Sequence, residues 1–117
     1  MLFSGINKEV SSFKVNENCT IIYQEALSSF TNLTTIDMPY SIRYIGSYAF
    51  RSCQSLKSFV VPNFVELFDA SWFYYCTNLQ SITLSANVNL VSIGHMDGCN
   101  SFSEFQVCCP TFPLVLQ

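Results

Sequence analysis

Apolar residues recur along the chain at every 23rd position. Leu33, Leu56 and Leu79 open three similar segments, and the same step leads forward to Phe102 and back to Val10. Neighbouring positions repeat in the same way, so several apolar columns run through the sequence beside polar ones. One such unit has too few residues to enclose a core, whereas stacked units bury a continuous one. The pattern therefore predicts a solenoid of stacked repeats.

Each repeat predicts one short strand. Over residues 35–38 the side chains alternate, so Ile36 and Met38 should point inward while Thr35 and Asp37 point outward. Equivalent strands one repeat apart must run parallel at about 4.8 Å, and five of them would form a sheet roughly 19 Å wide. Over residues 46–53 the apolar spacing predicts a helical turn that faces the core.

We predict a single domain over residues 1–117 that contains about five repeats, starting near residues 10, 33, 56, 79 and 102. Residues 1–9 would be the end of a preceding repeat, and residues 108–117 an irregular tail. Both ends are apolar and lack the polar outer surface of a capping repeat. We therefore expect self-association through the open solenoid ends, or neighbouring segments that cover them.

The repeat resembles a known family. Residues 41–53 carry the pattern Ile-x-x-Ile-Gly-x-x-Ala-Phe-x-x-Cys, which is similar to the BspA-type leucine-rich repeat. The third repeat departs from it, because Asp69 and Trp72 stand where glycine and alanine are expected. The fourth departs as well, with His95 and Met96 in place of Ala-Phe. The resemblance implies a right-handed leucine-rich-repeat solenoid with a parallel β-sheet on the concave face and short helical or irregular turns elsewhere.

The resemblance also implies a function. BspA-like proteins are surface antigens of bacteria and protists, associated with adhesion and protein binding and not with catalysis. It implies a non-catalytic protein-binding or adhesion module, a host or matrix protein as partner, and a cell-surface or secreted location. The sequence shows no signal peptide or anchor, so an intracellular location stays open. The alternative is a structural spacer in a longer repeat array whose binding sites lie elsewhere.

Composition excludes several other functions. Five basic and eight acidic residues give a net charge of −3 and leave no basic patch for nucleic acid. One histidine and four glycines offer little for general acid–base catalysis or a phosphate-binding loop, so we expect neither a catalytic site nor a cofactor. No apolar run approaches the ~20 residues that span a bilayer.

Six cysteines raise the question of disulfides. Cys53, Cys76 and Cys99 share one repeat position, so we interpret them as reduced thiols that fill a buried slot. Cys108 and Cys109 lie in the tail and should be exposed or pair with another chain.

One metal-like spacing also occurs. His95 and Cys99 have the i, i+4 spacing of metal ligands on a helix, but further ligands are missing and no metal site is expected. Two glycosylation triplets begin at Asn18 and Asn32, and both asparagines should lie at turns.

Two surfaces are candidates for a partner. The outward strand positions form a small, hydroxyl-rich ladder, which could also be simply a solvated sheet face. Aromatic residues outside the core columns form a second group, which could instead pack along the convex side between coils. The candidate contact residues are Thr35, Asp37, Ser58, Val60, Ser81 and Thr83 on the ladders, and Tyr44, Phe64 and Tyr74 among the aromatics.

Overall fold

The chain folds into a parallel β-solenoid. The computed structural model describes residues 7–84, 89–92 and 96–107. One row of strands recurs once in every coil. These concave strands are β1 (Ser12–Lys14), β3 (Thr35–Asp37), β5 (Ser58–Val60), β7 (Ser81–Leu84) and β9 (Glu104–Val107). The first strand starts at residue 12 and the last at residue 104, so four turns of the predicted repeat separate them. The predicted solenoid fold and its repeat length are therefore confirmed.

A second row of short strands lies in the other half of each coil. It consists of β2 (Ile21–Ile22), β4 (Tyr44–Ile45), β6 (Leu67–Asp69) and β8 (Asn89–Ser92). β2 pairs with β4 and β6 pairs with β8, in both cases in parallel. The predicted fold has only helical or irregular turns outside the concave sheet, so this second row of strands is an addition to it.

Helical structure is short in the described ranges. A 3₁₀ helix spans Ala70–Phe73, and the side chain of Asp69 caps it by accepting a 2.9 Å hydrogen bond from the Ser71 amide. The equivalent segment of the second repeat, residues 46–53, forms a series of turns that still buries Phe50 and Cys53. No helix within these ranges is both long enough and apolar enough to cross a bilayer.

The core consists of the predicted apolar columns. Leu33, Leu56 and Leu79 are fully buried. Phe50 and Phe73 are also fully buried, and their rings stack at a centroid distance of 5.6 Å and an interplanar angle of 16°. This stacking of equivalent residues is the contact that a regular repeat predicts, since each coil touches its neighbours at the same position.

The concave strands keep their predicted facing. Thr35 and Asp37 are exposed, while Ile36 and Met38 are partly buried against the core. β3 pairs with β1, and β5, β7 and β9 pair in that order, always between equivalent positions of neighbouring coils.

The concave sheet is not continuous, however. The hydrogen-bonded strands form one group of two, β1–β3, and one group of three, β5–β7–β9. In the described chain, no backbone hydrogen bond joins residues 34–38 to residues 57–61. The single five-stranded sheet of about 19 Å that equal spacing would give is therefore wrong, because the second and third coils separate at this point.

Candidate functional site

The separation of the sheet opens a groove on the concave side. Its volume is about 900 Å³, and it is lined by β3, by β5, by the residues that follow both strands, and by Lys14, Val15 and Glu17 of the first coil. Four of the sequence-predicted contact residues line it together: Thr35, Asp37, Ser58 and Val60. The groove is within the size range of ligand-binding pockets, about 300–1,000 Å³.

The other predicted residues lie outside the groove. Ser81 and Thr83 are partly buried on β7, which continues the ladder beside β5. Tyr44 is exposed on β4, in the second row of strands. Phe64 is exposed, and the Arg43 guanidinium lies 5.0 Å from the centroid of its ring. The nine candidates therefore do not form one continuous site.

Tyr74 belongs to a separate aromatic cluster at the turns of the coils. Its ring contacts Tyr48 at a centroid distance of 5.5 Å and Tyr75 at 4.5 Å, both edge to face. The Arg51 guanidinium lies 5.6 Å from the centroid of the Tyr74 ring. The neighbouring Tyr75, whose phenolate charge would repel a second one, is the main cause that raises the pKa of Tyr74. In this cluster the aromatic rings contact one another and the Arg51 guanidinium, so part of their surface is already covered.

Two substitutions within the repeat accompany the separation of the second and third coils. Gly46 donates a 2.8 Å hydrogen bond from its amide to the Ile22 carbonyl, which holds β4 against β2. A Cβ atom at Gly46 would stand 2.5 Å from the backbone nitrogen of Gln24, so this approach requires glycine. Asp69 occupies the equivalent position of the third coil, and its side chain prevents the same approach to the second coil.

Trp72 is the second substitution. It occupies the position of Ala49, and both residues are fully enclosed. Its indole Nε1–H donates a 3.0 Å hydrogen bond to the Ile45 carbonyl. One coil earlier, the Gly46 amide donates to the Ile22 carbonyl. A regular repeat would therefore have the Asp69 amide donate to the Ile45 carbonyl. The indole thus replaces the ladder contact with a side-chain contact and separates β4 from β6.

Contacts at the turns still hold the second and third coils together. The Phe50 amide donates to the Trp72 carbonyl at 2.9 Å, and the Ser52 amide donates to the Tyr74 carbonyl at 2.8 Å. With the stacked phenylalanines, these bonds fix the coils at one side while the concave strands stand apart. The groove therefore lies at a boundary where the second and third coils are in contact at the turns and are not paired at their concave strands.

The groove is weakly charged. Lys14, Glu17 and Asp37 are the ionisable side chains among its lining residues, apart from the phenol of Tyr40. Lys14 and Glu17 form an exposed ion pair at 4.0 Å, a type of contact that contributes little to stability. Apolar groups are prominent at the rim, since Tyr40 is 72% exposed and Val60 is 63% exposed. The surface can thus offer hydrogen bonds and apolar contact and little electrostatic attraction.

Neither the groove nor the place of Tyr40 within it follows from the repeat pattern of the sequence. Tyr40 lines the groove although it is not one of the nine candidate contact residues. The available signal was the mismatch at Asp69 and Trp72 against Gly46 and Ala49. That mismatch marks the boundary at which the coils cannot approach closely.

The repeated cysteines are buried thiols without disulfides, as predicted. The thiols of Cys53, Cys76 and Cys99 each donate to the carbonyl 26 residues earlier, at 3.3, 3.0 and 2.9 Å. Burial raises the pKa of Cys53 to about 12 and also raises those of Cys76 and Cys99.

The remaining candidates lie partly outside the described residues. Asn18 and Asn32 are exposed at turns, as expected. His95, Cys108 and Cys109 fall outside the described ranges, so the proposed His95–Cys99 spacing has no geometry to report. Within those ranges, no group of three potential ligands is arranged to hold a metal ion.

Comparison with known proteins decides the family. The model of the BspA-type leucine-rich repeat region matches residues 2–112 with six copies. The chain belongs to the BspA-type leucine-rich repeat family. The six copies are one more than the five repeats counted from the leucine column.

A solved structure supports the same fold. The chain is similar to the crystal structure of a leucine-rich cell surface protein from Faecalibacterium prausnitzii A2-165, with a TM-score of 0.64 and 20% sequence identity. The similarity covers 88% of this chain and 33% of that one, so the chain spans about a third of the solved protein's length. No curated protein matches the chain.

Proposed function

We propose that this BspA-type repeat module binds proteins, as an adhesion element displayed at the cell surface, and that it performs no catalysis. Two observations support the location and the class: the family match and the likeness to a protein described as a cell surface protein. Its partner would be a host or matrix protein. The weak negative charge disfavours nucleic acid as a partner.

The observation that carries the proposal is the groove between β3 and β5. It combines exposed apolar side chains, Val60 and Tyr40, with the hydroxyl groups of Thr35 and Ser58. Apolar anchors beside hydrogen-bonding groups are typical of protein interfaces. We infer that Thr35, Asp37, Ser58 and Val60 make the main contacts. Ser81 and Thr83 would extend the same surface, and Tyr44, Phe64 and Tyr74 would serve a larger partner that reaches around the coil.

A second function is favoured by one observation. The chain spans only about a third of the solved surface protein. It could therefore serve as a structural spacer within a longer array, in which case its own surfaces bind nothing.

A binding assay distinguishes the two functions. The full chain is immobilised and exposed to a panel of purified extracellular-matrix proteins and host-cell surface proteins, with Val60→Lys as the test variant. Leu67→Lys is the matched control, because Leu67 is an exposed apolar residue on β6 outside the groove. We expect at least one partner to bind the wild type and Leu67→Lys and to lose about tenfold or more in affinity for Val60→Lys, since a buried apolar contact is worth more than about 1 kcal/mol. Absence of any partner would favour the spacer.

A further inference from the structure

We propose that the groove between β3 and β5 binds an extended peptide segment of the partner, whose backbone pairs with the strand edges that the interrupted concave sheet leaves free. The inference deepens the proposed protein-binding function and rests on it. It follows from the backbone groups that the separated coils leave at the two facing strand edges.

At the start of each ladder, one backbone bond recurs in the other coils. The Thr34 amide donates to the Ser11 carbonyl at 2.8 Å, and the Gln80 amide donates to the Lys57 carbonyl at 2.8 Å. The equivalent bond between the second and third coils would join the Lys57 amide to the Thr34 carbonyl. That bond is missing from the backbone bonds of the described chain.

At the other end of the ladder the same loss occurs. The Val15 amide donates to the Asp37 carbonyl, and the Val61 amide donates to the Thr83 carbonyl, both at 2.9 Å. The equivalent bond from the Met38 amide to the Val60 carbonyl is missing within the described ranges. The β3 edge therefore presents the Thr34 carbonyl and the Met38 amide, and the β5 edge presents the Lys57 amide and the Val60 carbonyl. A regular repeat would pair these groups with each other.

Two facing edges with complementary backbone groups suit an extended peptide better than other ligands. A peptide backbone carries donors and acceptors at the spacing of a strand, so it can pair with the unpaired amide and carbonyl groups of a strand edge. A small molecule would satisfy only part of the two edges. A folded surface would first have to present a free strand.

The side chains around the groove determine what sequence the peptide should have. Successive residues of a strand point to opposite faces. Residues that point inward would meet Ile36, which is partly buried at the margin of the core. Residues that point outward would lie between Thr35 and Ser58 and beside the exposed Val60. The preferred segment should therefore alternate apolar with small polar or β-branched residues, and it should carry little charge.

The test begins with a peptide selection. A phage-displayed library of short linear peptides with alternating apolar and polar positions is selected against the full chain. A selected peptide is then synthesised in two forms, with normal amides and with N-methylated amides at alternate residues. N-methylation removes backbone donors and leaves the side chains in place. We expect the methylated form to bind about tenfold more weakly or worse, because two backbone hydrogen bonds are lost.

Amide hydrogen exchange locates the peptide. In the free chain, the Lys57 and Met38 amides should exchange faster than the Gln80 amide, which is bonded in its ladder. The peptide should slow exchange at Lys57 and Met38. Val60→Lys should weaken peptide binding, and Leu67→Lys should not.

The outcomes separate this inference from the proposed function. Equal binding of the two peptide forms, or unchanged exchange at Lys57 and Met38, would overturn strand addition and still leave a binding module. Protection of both amides in the free chain would mean that the coils are already paired, which also overturns it. If the chain selects no peptide but binds a protein of the panel, only the inference of strand pairing fails. If the chain binds neither a peptide nor a protein, the proposed binding function fails as well.

Discussion

The indole of Trp72 donates a 3.0 Å hydrogen bond to the Ile45 carbonyl across the boundary between the second and third coils. Both residues are buried, so no water replaces this donor if it is removed. The bond therefore compensates for the ladder contact that the two coils do not make. It is also the contact most specific to this boundary, since the equivalent residue one coil earlier is Ala49.

We predict that Trp72→Phe lowers the free energy of unfolding by about 1–3 kcal/mol, because a buried carbonyl loses its donor. Urea denaturation followed by circular dichroism measures this change. Ser71→Ala is the matched control. The Ser71 hydroxyl is buried without a hydrogen-bond partner in the described structure, so its loss should be close to neutral. Equal stability of Trp72→Phe and the wild type would contradict the role of the indole.

The stacked pair of Phe50 and Phe73 gives the second prediction. Phe50→Ala should cost about 3–5 kcal/mol, the usual loss for a buried aromatic side chain. In a domain of this size that loss is a large part of the total stability, about 5–15 kcal/mol. Thermal unfolding checks the effect, with the exposed Val60→Ala as control, which should change stability by less than about 0.5 kcal/mol. A melting curve of Phe50→Ala that overlays the wild type would refute the alignment of the repeats.

The apolar columns made the fold predictable from the sequence. A repeat of constant length forces equivalent residues such as Phe50 and Phe73 to stack, whatever the details of the turns. The second strand row was not predicted, because Ile21–Ile22 and Tyr44–Ile45 are too short to show a period of two. Strand pairing there depends on how closely the backbones approach.

The groove could not be predicted from hydrophobicity, because it depends on local sterics. A Cβ atom is tolerated at Asp69 only if the third coil stands away from the second, and Trp72 then fills the space at the turns. Both departures were visible in the sequence as exceptions to Gly46 and Ala49. The consequence for β3 and β5, which lie elsewhere in the coil, required the three-dimensional structure.

The third prediction concerns the reactivity of the thiols. Cys53 and Cys76 should resist alkylation by iodoacetamide in the native state, because both are buried and have raised pKa values. Peptide mass spectrometry after timed labelling, with and without urea, measures the protection. Cys108 and Cys109, which the sequence places in the tail, should react first. Rapid labelling of Cys53, Cys76 and Cys99 without denaturant would mean that their column is not enclosed.

The fourth prediction is a loss of stability at alkaline pH. Burial raises the pKa of Cys53 from 9.0 to about 12, so the thiol stays protonated in the folded chain while it ionises in the unfolded one. The stabilising contribution is complete below pH 9 and is lost as the pH rises from 9 towards 12. The difference in unfolding free energy between the wild type and Cys53→Ala should therefore shrink by about 1.4 kcal/mol from pH ~8 to pH ~10. A constant difference across this range would contradict the burial of the thiol.

The last prediction concerns self-association through the end of the solenoid. β9 (Glu104–Val107) pairs with β7 on one side, and it has no second partner strand among the described residues. Val107 on this strand is 71% exposed. Unpaired parallel edges with exposed apolar residues recruit further strands, and a lysine on such an edge prevents this pairing.

Static light scattering should therefore give a mass that rises above the 13.2 kDa of one chain as the concentration increases. Val107→Lys should reduce this rise, and Leu67→Lys, away from the end strand, should not. A wild-type mass that stays at that of a single chain over the whole series would show that the end of the solenoid is covered.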